Sequence, residues 1–366
     1  MEGNFIYSQP VKIYFGEGEF AKLEDILSQA GVRKAVIACG RHFAPEAGRL
    51  VSEIGAICGA YCAVEQNPQL SGIVETVSLI REYGADAVIG IGGGSSIDTA
   101  KFAAAIALGD GEAIEYFHGE KPFPDETLTI IAVPTTAGTG SEVTQVSVVS
   151  NGTEKRTTNN PVFMPKIAIV DPVLSSTVPP RTTMNTGLDA MAHAIEGYWS
   201  VNHQPICDLM AIESVRIILQ NLETAYSDGN NMEARSNMAY ASLIAGLSFA
   251  LSKTAACHAC SYPLSEDYHL PHGEACAFTL DAFVRINADD RLEYLAKRAG
   301  LSGTDELADK IHEFKKLAGL RMTLEDLGEV NLDKLCHDCS VHALMNNNPV
   351  RLSEEDLKQM FLSLKK

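Results

Sequence analysis

Short apolar, β-branched runs alternate with charged, helix-like stretches through the first half of the chain, and this alternation constrains the fold most strongly. Runs 35–39 (AVIAC) and 87–91 (AVIGI) each follow such a charged stretch, and runs 128–133 and 167–170 have the same apolar character. Apolar strands separated by helical segments are typical of a parallel sheet with crossover helices. The pattern therefore predicts an α/β domain.

The Pro-rich segment 171–181 (DPVLSSTVPPR) interrupts this pattern. From Gly187 onward the chain has the pattern of helices separated by short loops, such as 226–231 and 300–303. A length of 366 residues suits two domains better than one core. We therefore predict an α/β domain over residues 1–180 and an all-α domain over residues 181–366.

A glycine-rich turn, Gly92-Gly93-Gly94-Ser95, follows run 87–91 and precedes a helical pattern. In this strand–turn–helix setting, backbone N–H groups and the helix N-terminus can hold a pyrophosphate. A plain tight turn is the alternative. Asp98 lies in the first turn of the helix, where a carboxylate also favours the positive end of the helix dipole.

A second loop, between residues 135 and 141, follows run 128–133 and is rich in glycine and hydroxyl side chains. Such groups can bind phosphate or ribose, although clusters of this kind are usually ordinary loops. The candidate cofactor-binding residues in it are Thr135, Thr136, Thr139 and Ser141.

A metal site is indicated by Asp189 and His193, which are four residues apart in a run with helical character. Both side chains leave one helix face and can reach a single ion. His258 and His272, further along the chain, can complete the site. One carboxylate and three imidazoles suit a divalent metal such as iron, zinc or manganese. A solvated pair or a capped core histidine is the alternative for Asp189 and His193 alone.

Five motifs occur together and resemble those of the iron-type, metal-dependent alcohol dehydrogenases, in that family's order and approximate spacing. They cover most of the chain. The motifs are GGGSSIDTAK (92–101), PTTAGTGSEVT (134–144), Asp171-Pro172, GLDAMAH (187–193) and Pro271-His272-Gly273.

The resemblance implies the fold shared with dehydroquinate synthase, in which a dinucleotide-binding α/β domain precedes an all-helical metal-binding domain. It also implies that Asp98 faces the cofactor, that the loop 135–141 contacts it, and that Lys155 lies beside its nicotinamide-side phosphate. Relatives suggest a homodimer or a multiple of it. The four implied metal ligands are Asp189, His193, His258 and His272, with Fe²⁺ as the expected metal and Zn²⁺ or Mn²⁺ as alternatives.

The choice between NAD and NADP depends on Gly40, the position that corresponds by resemblance to an acidic residue binding the ribose 2′-hydroxyl in other dinucleotide-binding folds. Without a carboxylate there, NADP is not repelled, and the neighbouring Arg41 can pair with its additional phosphate. NAD is not excluded.

Two residues are candidates for proton transfer. Many relatives carry a histidine four residues after the third ligand, where this chain has Tyr262. One helical turn from His258, its hydroxyl would bond a substrate group or take part in proton transfer. His269, three residues before His272, is the other candidate. A core tyrosine and a surface histidine are the alternatives.

The expected reaction is hydride transfer between NAD(P)H and a short aldehyde, with the metal polarising the carbonyl oxygen. The segments HAIEGYWSVN and CHACSYPL look most like the branch that reduces phosphonoacetaldehyde or sulfoacetaldehyde. Candidate contacts to the anionic head are Trp199, Asn202, Asn159 and Tyr262, with charge from Arg156 or Arg181.

Other functions fit the same pattern. They are a primary alcohol or diol dehydrogenase of the same family, a metal-dependent lyase related to dehydroquinate synthase, and a non-catalytic dinucleotide-responsive protein. A lyase acting on a polyanionic sugar phosphate should have more Lys and Arg around the metal motif, and a binding protein would not need four metal ligands.

A net charge of −18 argues against a nucleic-acid partner, which would require clustered Lys and Arg. The first residues lack the positive and apolar regions of a secretion signal, and run 239–250 is too short to span a bilayer. Nine cysteines without such a signal indicate reduced thiols. We therefore expect a cytoplasmic enzyme without a membrane partner.

Overall fold

The four predicted apolar runs are strands of one parallel sheet in the computed structural model, which describes residues 4–152 and 154–365. The sheet has the order β1-β8-β5-β4-β2-β3, and every neighbouring pair is parallel. An antiparallel hairpin, β6–β7, is separate from it. The strands are β1 (Lys12–Phe15), β2 (Ala35–Cys39), β3 (Ile57–Tyr61), β4 (Ala87–Gly92), β5 (Thr129–Pro134), β6 (Val146–Asn151), β7 (Glu154–Asn159) and β8 (Ile167–Val170).

Both faces of the central strands are buried, which explains their continuous apolar sequences. Alternate side chains of β2 and β4 enter different cores: Val36 and Val88 pack in one cluster, and Ile37 and Ile89 in another. The edge strands β1 and β3 are only partly buried, and their sequences, KIYF and ICGAY, lack a continuous β-branched run. Sequence patterns did not predict them for that reason.

Five helices belong to the unit built around this sheet, which comprises residues 8–136 and 141–175. Helix α4 is buried along most of its length, and Phe102 in it packs at 5.7 Å from Phe163 and 5.4 Å from Phe123, between ring centroids. The helices are α1 (Leu23–Gln29), α2 (Ala44–Glu53), α3 (Leu70–Tyr83), α4 (Gly94–Ile106) and α5 (Ala113–His118).

The second unit comprises residues 4–7, 137–140 and 176–365, and its regular elements are helical throughout the described chain. Its centre is α6, in which every residue from Gly187 to Trp199 is buried. The helices are α6 (Pro180–Trp199), α7 (Pro205–Ser227), α8 (Met232–Ser252), α9 (Ala256–Glu266), α10 (His272–Ile286), α11 (Asp290–Arg298), α12 (Thr304–Leu317), α13 (Leu332–Val341) and α14 (Glu354–Ser363).

An α/β region followed by an all-helical region confirms the predicted fold class. The domain limits 1–180 and 181–366 remain predictions, and residues 137–140 group with the helical unit. Among the described residues, no single helix has both the length and the apolar character needed to cross a bilayer; α8 and α9, bent by 104°, meet these criteria only as a pair.

Strand β4 and helix α4 are in close contact at Gly90. A Cβ at Gly90 would lie 2.9 Å from both Ala100 Cβ and Ile97 Cα, so Gly90→Ala must displace α4 from the sheet. We expect it to lower the free energy of unfolding of the α/β unit by about 1–3 kcal/mol, measured by urea denaturation.

Gly48→Ala in α2 is the matched control, because a Cβ there meets nothing within 4 Å. It should leave stability unchanged or raise it by about 0.5–1 kcal/mol, since alanine favours a helix interior. Equal effects of the two substitutions would contradict tight β4–α4 packing.

Candidate metal centre

Asp189 and His193 lie one turn apart on helix α6. Both are in a segment of the helix that is buried inside the helical unit. Pro180 begins the helix, where its missing N–H has no cost, and Ala, Leu and Met residues favour its interior. The Oδ1 atom of Asp189 is buried and has no hydrogen-bond partner among the described residues. A buried carboxylate oxygen in this state is suited to bind a cation.

The other two predicted ligands come from α9 and from the first residue of α10. The Nε2 atoms of His258 and His193 are 3.0 Å apart. Asp189 Oδ1 lies 3.8 Å from His258 Nε2 and 3.7 Å from His272 Nε2. The four side chains singled out in the sequence therefore converge on one small volume.

Hydrogen bonds at the opposite ring nitrogens orient two of these imidazoles. His193 Nδ1 lies 3.2 Å from the carbonyl oxygen of Gly138, to which it donates, and the ring stacks on Phe249 at 4.1 Å. His258 Nδ1 bonds to the carboxylate of Glu196. Each ring then directs the lone pair of its Nε2 inward, the arrangement expected of a metal-bound histidine.

Glu196 is itself fixed, because it is fully buried and accepts a hydrogen bond of 2.6 Å from the backbone N–H of Cys257. Gly138 is also held closely: a Cβ there would lie 2.7 Å from Thr186 Cβ in α6. Glycine at this position allows its carbonyl group to approach the helix that carries His193.

The electrostatics of the site favour the charge state of a metal ligand for Asp189 and His193, but favour the protonated form of His258. Burial alone would raise the pKa of Asp189, but the three surrounding histidines lower it below its ordinary value. Burial lowers the pKa of His193 to about 4, so this imidazole is neutral at physiological pH. For His258, burial opposes protonation, while Cys276 and Glu196 outweigh it and raise the pKa well above the ordinary value.

These residues fit a divalent ion. An unpartnered buried carboxylate oxygen lies beside imidazole nitrogens that are oriented toward it, and all of them are donors used for iron and zinc. The ligands would be Asp189, His193, His258 and His272, as the sequence predicts.

Three neighbours of the site had been given no role from the sequence: Glu196, Gly138 and Cys276. Glu196 lies seven residues after Asp189, and Cys276 lies four after His272, so helical spacing places each on the face of a ligand. The thiol of Cys276 is 3.8 Å from His272 Nε2. Gly138 lies in the loop 135–141 that the resemblance assigns to the cofactor, 55 residues from His193, and no local pattern marks its contact with that histidine.

The two proton-transfer candidates occupy different surroundings. Tyr262 is half-buried on α9, and its ring stacks on His342 with centroids 4.4 Å apart. Burial, and then the charge of His258, lower the pKa of His342, so this stacked pair is within electrostatic reach of the site. His269 is exposed, has a φ of 55°, and its carbonyl oxygen accepts a hydrogen bond from Arg321.

The glycine-rich turn in the α/β unit joins β4 directly to α4, the predicted strand–turn–helix arrangement. No side chain caps the N-terminus of α4. Ser95 bonds through its hydroxyl to the carbonyl oxygen of Gln66. Backbone N–H groups at this terminus are therefore suited to a phosphate group.

Asp98 makes hydrogen bonds within the α/β unit. Its carboxylate accepts hydrogen bonds from Ser141 Oγ at 2.7 Å and from Val148 N at 2.9 Å. Lys101, fully buried, donates to Ser141 at 2.8 Å, and burial lowers its pKa to about 8. This network holds the segment after residue 141 against α4, a role that the sequence did not indicate; the expected role of Asp98 toward a cofactor stays a prediction.

The remaining cofactor candidates have varied surroundings. Thr135 and Thr136 follow β5, and Thr139 groups with the helical unit. Lys155 lies in β7, with its Nζ 3.4 Å from Asn67 Oδ1. Gly40 follows β2 in an extended conformation, at the start of the short turn that contains Arg41.

The proposed anionic-head contacts mostly have protein partners. Asn202 donates to Asn347 at 3.0 Å, and Arg181 pairs with buried Glu274 at 3.1 Å. Trp199 is buried, and its Nε1 has no hydrogen-bond partner in the described chain. Arg156 and Asn159 belong to β7, where Arg156 pairs with Glu154 and Asn159 Oδ1 accepts from Gln145.

A cavity of about 640 Å³ in the helical unit includes none of these ligands. Lys315, Asp281 and His312 line it, and they bond to one another: Lys315 Nζ lies 2.6 Å and His312 Nδ1 3.1 Å from Asp281 oxygens. We assign this cluster a structural role.

Comparisons with known proteins identify the family of this chain. Residues 10–172 match the family described as iron-containing alcohol dehydrogenase, and residues 183–364 match the C-terminal domain of the Fe-containing alcohol dehydrogenase family. Long-chain-alcohol dehydrogenase 1 of Geobacillus thermodenitrificans is 34% identical over 317 residues, which cover 82% of this chain and 80% of that protein.

Two sulfoacetaldehyde reductases are also similar. The protein from Bilophila wadsworthia is 32% identical over 316 residues, covering 81% of each chain. The crystal structure of the Bifidobacterium kashiwanohense reductase in complex with NAD⁺ has a TM-score of 0.95 and 39% identity, covering 98% of each chain. Both halves of the sequence and the fold thus lead to one assignment: the chain is an oxidoreductase that belongs to the iron-containing alcohol dehydrogenase family.

Proposed function

We propose that this protein is a metal-dependent, NAD(P)H-linked reductase of short aldehydes with an anionic head, such as sulfoacetaldehyde or phosphonoacetaldehyde. The observation that carries the metal-dependent activity is the convergence of Asp189, His193, His258 and His272, whose donor atoms make contacts of 3.0–3.8 Å. The likeness to sulfoacetaldehyde reductases supports the substrate class.

When bound, the divalent ion supplies Lewis-acid polarisation of the carbonyl oxygen, and the reduced nicotinamide supplies the hydride. Asp189 contributes negative charge to the ligand set. The Gly138 carbonyl group and the Glu196 carboxylate keep His193 and His258 in the orientation that directs Nε2 inward. No nucleophilic side chain is required, so the protein residues bind and orient the reactants and move one proton.

Iron is the metal we propose, with zinc and manganese as alternatives for the same donors. For the dinucleotide, we propose phosphate binding at the turn Gly92–Ser95 and by the loop 135–141 with Lys155. NADH and NADPH are both substrates in this proposal, because Gly40 provides no carboxylate to repel the 2′-phosphate.

Tyr262 is the residue we propose to distinguish anionic from uncharged aldehydes. It lies one turn after His258 on α9, and its ring is held by stacking on His342. A hydroxyl group held in this way can donate a hydrogen bond to a sulfonate or phosphonate oxygen. We also propose that Tyr262 or His269 transfers the proton of the reaction.

The family membership favours a dehydrogenase over a lyase or a non-catalytic binding protein. Within the family, a primary alcohol or diol dehydrogenase is the competing function, and the similarity to a long-chain-alcohol dehydrogenase supports it. A cytoplasmic location and a homodimer or larger homo-oligomer complete the proposal.

The metal requirement is tested by His272→Ala. The side chain of His272 is 41% exposed, so its removal should spare the fold while removing one donor. We expect loss of bound metal, measured by elemental analysis, together with loss of turnover. His337→Ala, at an exposed position on α13, should retain both properties; full activity of the metal-depleted parent enzyme would contradict the proposal.

The cofactor proposal is tested by Gly40→Asp. A Cβ at this position lies 3.6 Å from the Val64 carbonyl oxygen, an ordinary contact, so the substitution fits sterically. We expect the preference for NADH over NADPH, measured as a ratio of kcat/KM values, to increase by about 1–3 kcal/mol.

Gly40→Ala is the control for Gly40→Asp, because it adds the Cβ without charge and should leave the ratio nearly unchanged. A parent enzyme that does not use NADPH at all would show that our interpretation of this loop is wrong.

The substrate proposal is tested by Tyr262→Phe, which keeps the ring stacked on His342 and removes the hydroxyl group. In the parent enzyme, kcat/KM for sulfoacetaldehyde should exceed that for propanal or butanal. The substitution should narrow this gap roughly 10- to 100-fold, the effect of one hydrogen bond to a charged group. If uncharged aldehydes are the better substrates of the parent enzyme, the anionic head is excluded while the dehydrogenase assignment stands.

A further inference from the structure

Cys276 occupies a position among the metal donors that the family resemblance does not assign to a ligand. It lies one turn after His272 in α10, so both side chains leave the same helix face. Its Sγ atom is 3.8 Å from His272 Nε2, and the residue is fully buried.

The neighbours of this thiol include polar donor groups, although the residue also belongs to the hydrophobic core of the helical unit. Its Sγ atom and the donor atoms of Asp189, His258 and His272 all lie within 4.8 Å of one another. A second, independent observation is that Asp189 Oδ1 in this group is buried without a hydrogen-bond partner.

The spacing of these four donors matches a coordination sphere. Metal–sulfur bonds of about 2.3 Å and metal–nitrogen or metal–oxygen bonds of about 2.0–2.2 Å place neighbouring ligands of a tetrahedral ion roughly 3.3–3.7 Å apart, and wider ligand angles place them further apart. The distances between Asp189 and His258, Asp189 and His272, and His272 and Cys276 are 3.8, 3.7 and 3.8 Å. Cys276 thus satisfies the same proximity condition as three of the four predicted ligands, Asp189, His258 and His272.

We propose that Cys276 is a further ligand of the metal, bound through Sγ as a thiolate. The S–H proton passes to solvent as the bond between sulfur and the metal forms. A thiolate is a softer donor than imidazole or carboxylate and favours zinc or cobalt over manganese. This inference rests on the metal site of the proposed function, and the experiment below separates the two.

The test is the absorption spectrum of the full-length protein after exchange of its metal for Co²⁺. The parent protein should show the visible d–d bands of a bound Co²⁺ ion and a near-ultraviolet charge-transfer band from thiolate to cobalt. Cys276→Ser should lose the charge-transfer band and keep the d–d bands. Cys207→Ser, at a buried position on α7, is the control and should keep both.

Three other results would contradict the thiolate ligand, and one of them would also contradict the metal-dependent function. Visible bands without a charge-transfer band in the parent protein, or a charge-transfer band that persists in Cys276→Ser, overturn the thiolate ligand and leave the metal site intact. Absence of all cobalt bands overturns both the ligand and the metal-dependent function.

A second measurement needs no variant and applies if Cys276→Ser does not fold. X-ray absorption of the zinc-loaded parent protein should show a sulfur scatterer at about 2.3 Å. A first shell that contains only nitrogen and oxygen would overturn the proposal.

Discussion

A buried carboxylate oxygen without a protein hydrogen-bond partner is the constraint on which the helical unit depends. Leaving such a group unsatisfied costs about 1–3 kcal/mol or more, so the surroundings of Asp189 must supply compensation. Helices α9 and α10 do so by directing His258 and His272 toward it. Because residues 187–199 of α6 are all buried, the core packs around a polar centre whose geometry is fixed by Glu196 and Gly138.

The extent to which the fold could be predicted follows the burial of its elements. Central strands such as β2 are apolar on both faces, and their pattern in the sequence is clear. The edge strand β3 is short and contains small residues, and the hairpin β6–β7 mixes polar and apolar residues, so no pattern separates either from loops. The helical region was recognisable because the spacing of its apolar residues persists over several long segments.

Some residues of the candidate site form a pattern in the sequence, and others do not. Asp189 and His193 form a local motif, whereas the contribution of His258 and His272 depends on contacts over more than 60 residues and became specific only through the family resemblance. Gly138 and Glu196, which orient His193 and His258, are likewise 55 and 62 residues from these ligands. For Asp98, the family resemblance implies contact with a cofactor, which stays a prediction, whereas its hydrogen bonds with Ser141 and Val148 had no signal in the sequence.

The four residues 137–140 group with the helical unit although the chain on both sides of them belongs to the α/β unit. The carbonyl group that orients His193 is among them. The helical unit is thus not one continuous stretch of polypeptide, and synthesis of residues 181–366 alone would yield a chain that lacks part of its own metal centre. During translation, the loop that His193 needs leaves the ribosome well before the helix that carries His193, so the centre can be completed only after both parts have emerged.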